Sequence, residues 1–99
     1  MDKTRANKMD KQKLLETIAE RRGLNFEAVA EDLSFAYDEI FKAIVEAVAS
    51  GQVVDIPGFG VFRRSELHLG RARQPSTKKI PDFSPDLKFK DAVREGVYK

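Results

Sequence analysis

Cysteine is absent from this 99-residue chain, and His68 is its one histidine. A chain without thiols has neither a disulfide framework nor a thiolate metal site, and a single histidine is too few for a histidine metal cluster. We therefore expect no metal and no cofactor. A metal-free intracellular protein is the simplest interpretation.

Long apolar runs are missing as well. No run approaches the roughly 20 residues that a membrane-spanning helix needs, and residues 1–9 are polar rather than signal-like. We expect a cytoplasmic protein without a membrane partner. Because so short a chain buries only a modest fraction of its surface, we also expect one domain that is stabilised by oligomerisation.

No arrangement of residues typical of an enzyme is present. His68 has no cysteine or obvious serine partner, and the acidic pairs 31–32 and 38–39 are adjacent in sequence rather than opposed across a site. Gly58 and Gly60 lack the third glycine and the following helix of a dinucleotide-binding loop. We expect a protein that is not an enzyme and has no small-molecule substrate.

The charge is divided along the chain, although the net charge is only +2. Residues 1–9 carry three bases and one acid, residues 10–51 five bases and nine acids, and residues 52–99 ten bases and six acids. An acidic half and a basic half together present a positive face to a negative partner, which favours nucleic acid.

Two helices are predicted in the acidic half. Asp10 is a suitable N-cap for a short amphipathic helix that Gly23 ends, and Asn25 is a suitable N-cap for a longer one that ends near Gly51. The longer helix carries an apolar stripe too wide for one short helix and a small sheet to cover. We therefore predict a homodimer. Its predicted core comprises Leu33, Tyr37, Ile40, Phe41 and Ile44 of this helix, with Phe59, Phe62 and Phe83.

The basic half predicts a hairpin followed by a last helix. Residues 53–56 are typical of a strand, and glycines at 58 and 60 mark a tight turn into the next strand. Six bases and one acid lie between Arg63 and Lys79. Such a hairpin buries little and must project into solvent or onto a polyanion. Ser84 as N-cap and Pro85 as first helical residue predict the last helix, which Gly96 ends.

The segments 57–62 and 81–93 resemble the HU and integration host factor family of bacterial architectural DNA-binding proteins. That family has the pattern Gly-Phe-Gly-x-Phe after a strand, and the likeness extends over roughly residues 9–93. It implies an α+β fold: an intertwined homodimer with a helical body of two N-terminal helices and a short C-terminal helix. A three-stranded antiparallel sheet extends into a β-ribbon arm. Residues 1–9 would be a flexible basic tail, and residues 10–99 a dimerisation and DNA-binding domain.

The resemblance also implies a partner and a set of contacts. The partner is double-stranded DNA, bound with little sequence preference in a nucleoid-associated role. Phosphate contacts are expected from Arg63, Arg64, Arg71, Arg73, Lys78, Lys79, Lys88 and Lys90. In the family an Arg-Asn-Pro triplet near the arm tip inserts a proline between base pairs. Here Gln74 would read a minor-groove edge, and Pro75 would either be that wedge or end the pairing of a short hairpin.

The sequence departs from the family mainly in the arm. Only five residues separate Pro75 from Pro81. If Phe62 pairs with Phe83, the hairpin is centred on residues 72 and 73, and each strand of the arm is about four residues, or roughly 13 Å, shorter than usual. Asp86 and Leu87 also replace a glycine and a phosphate-binding lysine. We therefore expect reduced bending of the DNA.

Two alternatives remain open at this stage. A protein-interaction module would have kept the dimer fold and lost productive DNA wrapping, with Leu67 and Leu69 as its contact surface. RNA binding is compatible with the same charge. Salt dependence separates phosphate binding from apolar association, and competition between duplex DNA and duplex RNA separates the two nucleic acids.

The wide apolar stripe predicts that the chain is a dimer at micromolar concentration. Sedimentation equilibrium should give about twice the 11.2 kDa mass of one chain. A folded species with the mass of a single chain would contradict the prediction.

Overall fold

The computed structural model describes residues 8–71 and 74–98, with the backbone alone at Arg71, Gln74 and Pro75. Its elements are α1 (Lys11–Arg21), α2 (Phe26–Ala49), β1 (Val54–Ile56), β2 (Gly60–Arg71), β3 (Gln74–Pro85) and α3 (Leu87–Glu95). The predicted α+β class, with two helices, a three-stranded sheet and a last helix, is confirmed. The chain divides into two compact units, Met1–Ile40 and Phe41–Lys99, which are described separately.

The first unit is a helical hairpin whose ends are set by capping. The Asp10 carboxylate accepts a hydrogen bond from the Lys13 backbone N–H at 3.0 Å, and the Asn25 side chain accepts one from the Ala28 N–H at 3.3 Å. Gly23, at φ +67°, permits the left-handed turn between the helices. Both predicted N-caps are thus confirmed.

The second unit contains the sheet, in the order β1-β2-β3 with both pairings antiparallel. Phe62 pairs with Phe83, as the sequence predicts, and the ladder continues to the pair Arg71 and Gln74. Residues 72 and 73 alone join the two strands, so the predicted centre of the hairpin is confirmed. Pro75 pairs with Gly70 and lies on the return strand.

A cluster of four phenylalanines holds the base of the sheet to α3. Neighbouring rings of Phe59, Phe62, Phe83 and Phe89 lie 4.6 to 6.2 Å apart between centroids. Gly60 is buried beneath them, and a Cβ there would come within 2.5 Å of Phe83 Cε1 and 2.6 Å of the Ser84 carbonyl oxygen. Only glycine fits at this position, because the backbone oxygen cannot move aside.

The predicted start of the last helix is wrong. Ser84 and Pro85 belong to β3, where they pair with Val61 and Gly60. The N-cap is Asp86, whose carboxylate accepts hydrogen bonds from the Leu87 and Gly58 backbone N–H groups, both at 2.8 Å. The serine and proline pattern has the form of a helix start, but pairing within the sheet extends past it. The predicted end at Gly96 is confirmed, with φ +83°.

Much of the apolar surface of α2 is open to solvent in the single chain. Ile40, Phe41 and Val45 are 57%, 48% and 65% exposed, while Leu33, Tyr37 and Ile44 are half-buried. Among the described residues, the buried hydrophobic side chains are Leu15 and Ala19 of α1. Within the same residues, no helix is both long enough and apolar enough to cross a membrane.

The corrected cap predicts the effect of two substitutions. Asp86→Ala removes the acceptor for two backbone N–H groups, so it should lower the free energy of unfolding by about 1 to 2 kcal/mol. Ser84→Ala, at the residue that the sequence pattern favours as N-cap, should stay within about 0.5 kcal/mol of the parent. Urea denaturation at one fixed protein concentration measures both. Equal losses would show that Asp86 is not the cap.

Candidate nucleic-acid interface

The hairpin formed by β2 and β3 extends beyond the core of the second unit. Ser65 and Ile80, which pair with each other, are the last half-buried residues along it. Beyond them residues 66–70 and 76–79 are exposed. We call this outer part, from the pair Glu66 and Lys79 to the pair Arg71 and Gln74, the arm. Its six residue pairs measure about 20 Å.

The two faces of the hairpin differ because side chains alternate along a strand. The face called here the leucine face carries Arg63, Ser65, Leu67 and Leu69 of β2 opposite Asp82, Ile80, Lys78 and Ser76 of β3. The opposite face carries Arg64, Glu66 and His68 opposite Pro81, Lys79 and Thr77. The basic residues predicted as one set are therefore divided, with Lys78 on the leucine face and Lys79 on the other.

Arg63 is paired within the sheet. Its Nη1 lies 3.4 Å from Asp82 Oδ2 and 3.2 Å from Ser84 Oγ. Asp82 stands directly opposite on β3, so the two charges offset each other at the base of the hairpin. A phosphate contact by Arg63 would have to compete with this carboxylate.

Arg64 has a structural contact that the sequence did not reveal. Its Nη1 donates a hydrogen bond at 3.0 Å to the carbonyl oxygen of Ala49, the last residue of α2. The last carbonyls of a helix have no partner within the helix, and a cation near them is also favoured by the helix dipole. Arg64 thereby caps the C-terminus of α2, although it was predicted only as a phosphate contact.

Of the two lysines of α3, Lys88 lies beside the turn at Gly58. Lys88 Nζ lies 4.9 Å from the ring centroid of Tyr98, and the Tyr98 hydroxyl donates a hydrogen bond of 3.4 Å to the Gly58 carbonyl. Lys90, two residues further along α3, is exposed. No sequence pattern had indicated Tyr98, whose contacts depend on the chain returning to the turn 40 residues away.

Four of the predicted contacts are thus exposed lysines: Lys78, Lys79, Lys88 and Lys90. Arg71, Gln74 and Pro75 stand at the tip of the ladder, where the structure describes their backbone alone, and Arg73 lies outside the described residues. Asp86, which stands where the family has a glycine, has a role in the fold, because its two oxygens each accept a hydrogen bond from a backbone N–H.

Comparison with known proteins gives a consistent family. A model of the bacterial DNA-binding protein family matches residues 9–94. The SPbeta prophage-derived DNA-binding protein HU 2 of Bacillus subtilis (strain 168) is 34% identical over 94 residues, which cover 87% of this chain and 98% of that protein. DNA-binding protein HU of Geobacillus stearothermophilus is also 34% identical, with 87% and 100% covered.

Solved structures share the fold. A mutant of HU from Thermotoga maritima is 30% identical, with a TM-score of 0.64 over 86% of this chain and 99% of that one. HU of Anabaena, in a cocrystal with DNA, has a TM-score of 0.68 at 24% identity, over 86% and 97%. At that identity the second likeness concerns the fold alone.

The contact of Arg64 with α2 predicts a loss of stability when it is removed. Arg64→Ala should lower the free energy of unfolding by about 1 kcal/mol, because the Ala49 carbonyl loses a charged donor. Lys79→Ala, on the same face of the hairpin and exposed, should change it by less than about 0.5 kcal/mol. Denaturation curves of the two variants without any ligand test this. No difference between them would remove the capping role.

Proposed function

The chain belongs to the family of bacterial DNA-binding proteins, and on that basis we propose that it is an architectural protein of the HU type. It binds double-stranded DNA with little dependence on sequence, as a homodimer, through a short basic β-arm. The family membership also supports a nucleoid-associated place in the cytoplasm. The relatives named above are DNA-binding proteins and not enzymes, and the prediction of a non-enzymatic protein is confirmed by the family.

The arm is the observation that carries this proposal. A two-stranded ribbon about 20 Å long has the width to enter a groove of the duplex, and bases along it displace the counterions of the phosphates. Lys78 and Lys79 lie on opposite faces of the arm, and Arg71 pairs with Gln74 at its tip. A ribbon seated in a groove meets a phosphate backbone on both sides, so bases on both faces are useful there.

Exposed apolar side chains support the homodimer. Within the second unit, an open groove of about 640 Å³ is lined mainly by apolar residues of α2 and the sheet, among them Phe41, Ile44, Val45 and Phe62. A groove of this composition is costly to leave in water, and a second copy supplies matching apolar side chains. The eight residues of the predicted dimer core stay a proposal on this basis.

The length of the arm bears on what happens to the DNA. Bending a duplex is offset by the additional protein surface that the bent duplex touches, and a short arm offers little additional surface. In addition, Leu87 stands where the family has a phosphate-binding lysine. We expect binding with modest bending or none, and a minor role for Pro75.

The leucine face favours a second function. Leu67 and Leu69 are 46% and 44% exposed on one face of the arm, where a phosphate-binding strand has more use for polar side chains. A protein partner would use this face, and binding to it would persist at high salt because apolar association is not screened. RNA is the third candidate ligand. Competition between duplex DNA and duplex RNA of the same sequence shows which of the two the protein binds more tightly.

Charge at the tip of the arm provides the test of the proposed function. Replacing Arg71 and Arg73 together by alanine should weaken binding to duplex DNA with little effect on folding. It should also reduce the slope of log affinity against log salt by up to about two, one for each lost phosphate contact. Fluorescence anisotropy of a labelled duplex over a series of salt concentrations gives both quantities.

A matched control makes the same change in net charge at residues outside the arm. Lys13→Ala with Lys42→Ala removes two bases from the helices, and this pair should leave the salt slope close to that of the parent. If both double variants lower the slope equally, net charge and not the arm drives binding. If neither changes the affinity, the arm is not the binding surface.

A further inference from the structure

The single histidine of the chain lies on the arm. His68 belongs to β2, pairs with Thr77 of β3 and is exposed. No hydrogen bond or ion pair joins its imidazole to another residue in the part of the chain that the structure describes. The imidazole is therefore available to an external ligand, although His68 was not among the residues predicted to contact phosphate.

The face of the arm that carries His68 has no net charge without it. Glu66 and Lys79 stand directly opposite each other on this face, so one acid and one base offset each other. On the leucine face, residues 66–70 and 76–79 contribute Lys78 and no acid. A neutral His68 thus leaves only the leucine face positive in this part of the arm, whereas a protonated His68 makes both faces positive.

The neighbours of His68 come from β2 and β3, because residues 66–70 and 76–79 are exposed. Glu66 stands two residues away along β2, or about 7 Å, and Lys79 is the diagonal neighbour on β3 at about 7 to 8 Å. Arg64, the remaining charged residue of this face, donates its hydrogen bond to the Ala49 carbonyl. An acid and a base at similar distances leave the imidazole without a dominant partner inside the protein.

The position of His68 suits a contact with a phosphate. A ribbon in a groove has a phosphate backbone on both sides, and His68 and Lys79 are far enough apart to meet different phosphates. An imidazolium ion donates from both ring nitrogens, and its hydrogen bonds to a phosphate are charge-assisted. A neutral imidazole has one donor and displaces no counterion.

We propose that His68 is a phosphate-binding residue of the arm in its imidazolium form, and that the affinity for duplex DNA therefore rises as the pH falls. The inference rests on the proposed DNA-binding function. Imidazole is the side chain that ordinarily changes its charge between pH 5 and 8, and the chain has one histidine and no cysteine. Because DNA binds the charged form more tightly, the affinity is highest below the titration range of imidazole and decreases as the pH rises through it.

The affinity of the full chain for a duplex of about 20 base pairs, measured at pH 5.5 and pH 8.0, tests the proposal. Anisotropy of a rhodamine-labelled duplex is suitable, because this dye does not titrate in the range. Binding should be about threefold to tenfold tighter at pH 5.5, the gain typical of one charged contact at an exposed position. The slope of log affinity against log salt should also be steeper at pH 5.5, by about one for each arm bound.

Two substitutions separate the charge of His68 from its shape. His68→Gln keeps a polar side chain without the charge, so it should bind at both pH values about as the parent does at pH 8.0. His68→Lys is charged at both pH values and should bind at pH 8.0 at least as tightly as the parent does at pH 5.5. Neither substitution should affect folding, because His68 is exposed on the arm.

A relocated histidine is the matched control. His68→Gln with Gln12→His keeps one histidine in the chain but places it on α1, in the first unit, where it should not restore the pH dependence. Restored dependence in this variant would assign the effect to net charge and overturn the inference.

The outcomes distinguish this inference from the proposed function. Equal affinity of the parent at the two pH values, or the same pH dependence in the parent and in His68→Gln, overturns the inference and leaves the proposed function standing. Absence of duplex binding by the parent at both pH values overturns the proposed function, and the inference with it.

Discussion

The antiparallel pairing of Phe62 with Phe83 is the constraint on which the second unit depends. It places both rings, with centroids 4.6 Å apart, in the cluster that also contains Phe59 and Phe89. Stacked and tilted aromatic pairs of this kind bury large areas in a fixed geometry. Because a shift of one residue would turn every side chain to the other face, the same pairing determines where the hairpin ends and how the arm divides its bases. The length of the arm follows from this one register.

The sequence predicts this register because the turn and the two phenylalanines restrict the possible strand pairings. It predicts the N-caps at Asp10 and Asn25 because capping depends on residues that are close in sequence. It fails where a local pattern competes with a contact distant in sequence. Ser84 and Pro85 have the pattern of a helix start, yet the ladder with Val61 and Gly60 keeps them in the sheet. In the sequence, nothing distinguishes Arg64 from the other basic residues of its segment. Its capping role depends on the position of the end of α2, where the Ala49 carbonyl accepts its hydrogen bond. The register is enough to derive which basic residues lie on each face of the hairpin. It does not predict the hydrogen-bond partners of the individual side chains, such as those of Arg63 and Arg64.

Charge and apolar surface are separated in a way that suits an architectural protein. The exposed stripe of α2 supports a homodimer, which leaves the arms of two subunits available for a duplex. Arg63 and Arg64 have partners within the protein, so we propose that the exposed lysines, with Arg71 and Arg73, make most of the phosphate contacts. Acids outnumber bases in residues 10–51, nine to five, whereas the basic arm lies in residues 52–99.

We propose that the register of Phe62 and Phe83 gives an arm too short to wrap DNA. End-to-end energy transfer on a doubly labelled duplex of about 35 base pairs measures this directly, because bending by 40 to 90° shortens the distance between the ends. We expect that saturation with protein changes this distance little, and that Pro75→Ala leaves both the distance and the affinity nearly unchanged. A large decrease in the distance that Pro75→Ala abolishes would contradict it, because the wedge would then bend DNA despite the short arm.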